Sequence, residues 1–362
     1  MRQPGTTLEE QKRLYSHGEN ALLSSTSNPN NNKNDLKSAR TSGKPRSLAS
    51  LSTDSYSVMK DDPMYGFFVA SFRALGTDIE GETKGTFDDQ PVSQYANTLV
   101  NDLFELQMGG SFQSDAALLY NVWMYVVHQL YASQRACEQN DADAMNAAVD
   151  IAAALYLGSR GDGTDNLPAA SSSSSPHGYM LYDMAERMSH HFYKGTESSS
   201  NTLFLSTLND LQSRANDGSC AEPDTHLQVR SVVRDAIGHM TVPMIQTMIH
   251  LLLQAKTKER DNYLEMYALA LAPRLAVCDP TIHDTFLSLF VQDQKAAAYD
   301  MGAVAILQST YSCFPITCDH VGVYHSNKLP ACSEEDAEPM IAGYQAQSAV
   351  VTPVSINALV VL

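Results

Sequence analysis

From residue 58 to residue 311 the chain is a succession of segments whose apolar residues recur every three to four positions, and no convincing period-two strand interrupts it. That spacing puts the apolar side chains of each segment on one helical face. It predicts an all-α multi-helix bundle. The expected helices cover 58–76, 91–108, 111–140, 141–158, 177–192, 201–215, 226–256, 261–278, 280–293 and 295–311. Pro91 opens the second and Gly109-Gly110 close it. Asp279-Pro280 end the helix before them. Pro243 falls inside the apolar run 226–256, where it should kink the helix or divide it in two.

The flanks differ. Residues 1–57 are rich in Ser, Asn, Lys, Gly and Thr without apolar periodicity, and they read as a disordered, basic segment. Residues 312–362 hold Cys313, Pro315, Cys318 and Cys332 and end in VVTPVSINALVVL, an irregular extension with a short strand or a tail packed along the bundle. Charge divides along the same line. Residues 1–50 hold eight Lys/Arg and four Asp/Glu, a net of +4, and the remainder, with 16 and 37, carries −21 of the total −17. So acidic a body repels phosphate backbones, which argues against nucleic acid as a partner. No stretch reaches the length of a transmembrane segment, and residues 1–21 lack the apolar core of a signal peptide.

A weak internal repeat runs through the helical part: LVNDLFELQ, YVVHQLYASQ and an Ala-rich helix, then TLNDLQSRA, TMIHLLLQAK and a second Ala-rich helix. It predicts two pseudo-repeated halves with His128 and His250 in equivalent places. Nucleophile elbows, phosphate-cradling glycine loops, H-E-x-x-H and dinucleotide fingerprints are missing from the sequence, which points away from an enzyme.

The residues best suited to a metal flank the polar connector 159–176. Tyr182, Glu186 and His190 fall at i, i+4 and i+8 of one expected helix and stack a phenol, a carboxylate and an imidazole, the hard O/N set of a ferric site. His191 and Asp150 are the supporting donors. Asp150 lies among alanines on an expected buried face, where an unpaired carboxylate is costly. Four further candidates have simpler readings. His128 and His250 stand among apolar residues, as satisfied core histidines do, and Asp235 and His239 at i and i+4 suit a helix-surface ion pair. Six cysteines allow up to three disulfides in a secreted protein, with Cys313, Cys318 and Cys332 the foremost participants; no zinc-type spacing is present.

Several stretches together carry a family resemblance. They are NDADAMNAAVDIAAALYLG, GYMLYDMAERMSHHF and GHMTVPMIQTMIHLLLQA, followed by NYLEMYALALAPRLAVCDPTIHDTF. Across about residues 95–290 the chain resembles the algal low-iron-inducible, periplasmic iron-assimilation family, the Fea domain. The matching positions are Asp150, then Leu155, Tyr156 and Gly158, then Tyr182, Ala185, Glu186 and Arg187, and later Val242 to Gln246. The resemblance implies a non-enzymatic protein of the periplasm or cell surface that binds ferric iron (Fe3+) for uptake and hands it to a cell-surface partner. The chain departs from the pattern in showing no signal sequence, in lacking a tryptophan and paired acids before Ala152, and in its first 57 residues. Those departures define the alternatives: a cytoplasmic location, and a helical structural or protein-interaction module of the same fold without metal.

Overall fold

The computed structural model describes residues 7–17, 47–51, 86–87, 90–91, 95–105, 110–158, 180–193, 198–292 and 301–324. The expected helix 58–76, the connector 159–176 and the end of the chain with Cys332 lie outside the described residues. Within them the fold is an all-α bundle. In chain order it runs α1 (Leu8–His17), α2 (Tyr95–Glu105), α3 (Gly110–Ala117), α4 (Trp123–Glu138), α5 (Ala142–Leu157), α6 (Leu181–Ser189), α7 (Ser199–Asn216), α8 (Pro223–Leu252), α9 (Lys258–Cys278), α10 (Pro280–Leu287), α11 (Met301–Ser309) and α12 (Cys318–Val321). A π-helical turn, Leu118–Val122, joins α3 to α4, and another, Ser288–Gln292, continues α10. Two antiparallel ribbons of two residues per strand complete the set: β1 (Thr86–Phe87) with β2 (Gln90–Pro91), and β3 (Phe192–Tyr193) with β4 (Val323–Tyr324).

Local sequence explains the helix ends. Asp141 caps α5 by accepting from the Ala144 N–H, Ser198 caps α7 through the Asn201 N–H, and Thr257 caps α9 through the Arg260 N–H. The Asp279 carboxylate accepts from the N–H groups of Thr281 and Ile282 and starts α10, with Pro280 at its first position. Gly158, at φ +74°, ends α5 in a conformation that L side chains rarely adopt.

α8 is the axis of the bundle. Every residue from Ala236 to Ile249 is buried, the mark of a helix enclosed on all sides. It packs on α4, α6, α7, α9, α11 and α12. Here the division expected at Pro243 does not occur, and Pro223–Leu252 is a single helix of 30 residues. Pro243 removes one N–H, but packing on all sides holds the helix through it. Thr241 and Thr247 sit in this dry interior by donating their hydroxyls to the carbonyls of Ile237 and Pro243, both at 2.7 Å.

A second departure is at the N-terminus. Within the segment read as disordered, Leu8–His17 is a helix docked on the body. Its Tyr15 is fully buried, donates to Asn97 Oδ1 at 3.0 Å and accepts from Asn121 Nδ2 at 2.8 Å. One aromatic side chain with two polar partners supplies the burial that the composition of this segment does not announce.

Two disulfides brace the bundle. Cys137 at the end of α4 bonds Cys220 in the turn after α7, and Cys278 at the end of α9 bonds Cys313. Cys318 is disulfide-bonded as well. Cys313 and Cys318 thus take part as expected, while the Cys137–Cys220 bridge joins two helical regions that showed no need of stapling. Around Cys313 the chain is clamped further: Arg274 Nε donates to the Cys313 carbonyl at 3.0 Å, and its guanidinium lies over the Phe314 ring.

Candidate metal-binding site

Of the donors expected to share a site, Tyr182 and Glu186 lie one turn apart on α6, which ends at Ser189 with His190 as its C-cap, still at helical backbone angles (φ −64°, ψ −20°). His190 is the residue that follows the helix and is exposed. Asp150 is exposed rather than buried, and its carboxylate accepts from Gln212 Nε2 at 2.7 Å. The buried stripe of α5 is Met145, Ala148, Val149, Ala152 and Tyr156, and Asp150 lies to one side of it.

Glu186 and Tyr182 belong to a structural network centred on Asn201. The Tyr156 hydroxyl donates to Asn201 Oδ1 at 2.6 Å. The Asn201 amide donates to Glu186 Oε1 at 2.6 Å and to the Tyr182 carbonyl at 3.1 Å. Glu186 Oε1 also accepts from the Ser198 N–H at 3.3 Å. Through Oε1 the carboxylate joins α6 to α7. Burial, with Tyr182 and Glu186 nearby, pushes the Tyr156 hydroxyl far above its ordinary pKa, so it remains a donor. Asn201→Ala strands Glu186 and the Tyr156 hydroxyl, and should lower unfolding stability by roughly 2–4 kcal/mol in urea denaturation. It should leave metal binding unchanged if the site lies elsewhere.

His128 is 2% exposed and packs against the Tyr125 ring at 5.6 Å, a core histidine. Asp235 pairs with its neighbour Arg234 at 3.6 Å, not in the surface ion pair expected with His239. His239 is buried and meets the His320 ring at 5.2 Å. His250, placed by the repeat as the counterpart of His128, has different surroundings, in the last turn of α8 and half-buried.

At His250 the fold does assemble donors. The β3–β4 ribbon pairs Phe192 with Tyr324 and carries His191 and Tyr324 to the end of α8. His250 Nδ1 is hydrogen-bonded to the Tyr324 hydroxyl at 2.8 Å. The His191 ring lies alongside His250 at 4.0 Å between centroids, and 6.4 Å from Tyr324. Phe192 backs Tyr324 edge-on at 5.3 Å, and the Gln254 amide closes on His250 Nε2. Burial, and then the neighbouring His191, pull His250 down to about 4, so its ring is neutral and keeps a lone pair at neutral pH. Burial pushes the Tyr324 phenol up. Among the described residues no three His, Cys, Asp or Glu side chains stand together as a cation cage; this trio combines two imidazoles with a phenol. His191 and His250 were both candidates in the sequence, but Tyr324 carried no sequence signal, because a two-residue strand has no period to read.

Among the described residues no helix is long and apolar enough to cross a membrane. Comparisons with protein-family models, curated proteins and solved structures find no match to the chain.

Proposed function

We propose that this chain is a non-enzymatic iron-binding protein that serves iron assimilation outside the cytosol, and that it holds ferric iron between His191, His250 and Tyr324. The observation that carries the reading is the 2.8 Å separation of His250 Nδ1 and the Tyr324 oxygen. Two donors held cis on an ion at about 2.0 Å stand roughly 2.8 Å apart, so both can reach one metal once ring and phenol turn their lone pairs off the line that joins them. A trivalent cation strips the phenol of its proton despite the upward pull of burial. His191 supplies the third donor by turning about its side-chain bonds.

Two further facts support the setting. Disulfides persist in oxidising compartments, and the bundle carries the Cys137–Cys220 and Cys278–Cys313 bridges. The resemblance to algal iron-assimilation proteins supplies the physiological role and a cell-surface uptake partner. A second reading, a helical interaction module of the same fold without metal, is favoured by one observation: the Glu186 carboxylate is engaged by Asn201 and Ser198.

Ferric titration separates the two. Under the iron reading, iron gives a visible tyrosinate-to-iron band at one equivalent. Tyr324→Phe should remove that band while the helical circular dichroism stays unchanged. A band that survives in Tyr324→Phe moves the ligand to another tyrosine, and no band in the folded wild type leaves the interaction module.

A further inference from the structure

Residues 311–324 form a strap along one side of α8. Its fastenings follow the helix in order. At Gly238 the strap passes so close that a Cβ would stand 2.7 Å from the Phe314 carbonyl oxygen. His239 meets the His320 ring at 5.2 Å and nearly a right angle. Gln246 Nε2 donates to the Val321 carbonyl at 2.7 Å, and His250 bonds Tyr324. Positions 239, 246 and 250 recur at helical spacing, so the strap lies on one stripe.

α12 is the middle of this strap, and its start is a capping box. Thr317 Oγ1 accepts from the His320 N–H at 3.4 Å, and the Thr317 N–H donates to His320 Nδ1 at 3.1 Å. In a capping box the third helical position ordinarily holds Glu or Gln, whose oxygens accept at neutral and mildly acidic pH. Here it holds an imidazole. Neutral, its Nδ1 accepts; protonated, both ring nitrogens are donors and the box opens. α12 packs on α8, and the titratable groups that face His320 from there are His239 and Asp235. Burial, and then His320, hold His239 at about 4, so it stays neutral in mild acid. Burial pushes the Asp235 carboxyl up against the opposing pull of Arg234 and of His320. Asp319, the remaining charged group of α12, is exposed.

We infer that His320 is a proton-operated latch: its protonation opens the capping box, loosens the strap and withdraws Tyr324 from His191 and His250, so that metal held there is released in mild acid. The release half of this inference rests on the iron reading above; the latch half does not.

The test uses the full chain as wild type and as His320→Gln, with His320→Glu as a second variant that restores the ordinary capping residue. Amide exchange over residues 317–324, corrected for intrinsic rates, is followed in metal-free protein from about pH 7.5 to about pH 5.5. Iron supplied as its nitrilotriacetate complex is followed over the same range as metal retained after desalting. Wild type should lose roughly tenfold or more of its protection in the strap on acidification, and both variants should lose far less. Wild type should also release iron at a higher pH than either variant. Equal loss of protection in all three proteins overturns the latch. A strap that opens only in wild type, with iron leaving all three at one pH, overturns the coupling to metal. If no protein retains iron at the higher pH the iron reading fails, and exchange alone then decides the latch.

Discussion

With His191 and His250 both replaced by alanine, ferric affinity should fall by roughly 100-fold or more. The size of the effect follows from the donor count. The trio offers two nitrogens and one oxygen, and the double variant leaves a single phenol. A lone phenol on a half-exposed ribbon does not outcompete water and buffer anions for a trivalent ion. Stability should change little by comparison, because both rings are only half-buried. Equilibrium dialysis against a ferric chelate reads the affinity, and circular dichroism reads the fold. Glu186→Ala is the contrasting variant: it breaks bonds to Asn201 and Ser198, so it should weaken the fold and leave affinity unchanged. If Glu186→Ala abolishes binding and the double histidine variant does not, the site lies on α6 after all.

Removing the Cys137–Cys220 bridge as the double Ser variant should cost the protein roughly 3–5 kcal/mol of stability. The bridge closes a loop of 83 residues that holds α5, α6 and α7. Loop-closure entropy for that length gives about 4.5 kcal/mol. Both sulfurs are buried, and the Cys220 sulfur touches Met145 Sδ at 3.6 Å, so the serine hydroxyls also enter an apolar setting. Urea denaturation of oxidised wild type against the variant measures it. A difference below about 1 kcal/mol would mean that the bundle is equally constrained without the bridge.

The helices could be read from sequence because their signals are local. The caps Asp141, Ser198 and Asp279 act within one turn of the starts of α5, α7 and α10, and the apolar run of α8 matches its buried stretch from Ala236 to Ile249. Pro243 does not divide α8, because a proline rule concerns one missing N–H, whereas enclosure of the helix around that position is a property of its neighbours. The surroundings of the site residues were hidden for a related reason. The Tyr182–Glu186–His190 spacing is local, whereas what Glu186 bonds to is set by α7. Asn201, which claims Glu186, is one asparagine among many in the sequence. His191 and His250 were visible as residues, but their partnership depends on a strand pair that joins Phe192 to Tyr324, far apart in the chain. Pairing of that kind is decided by tertiary contacts and leaves no periodic trace.

The most direct test of the iron reading is an anomalous difference map at the iron absorption edge, from crystals of the full chain grown with one equivalent of ferric iron. The account predicts one peak bounded by His250 Nδ1, the Tyr324 oxygen and the His191 ring. A peak beside Tyr182 and Glu186, or no peak in a well-ordered ribbon, would contradict it.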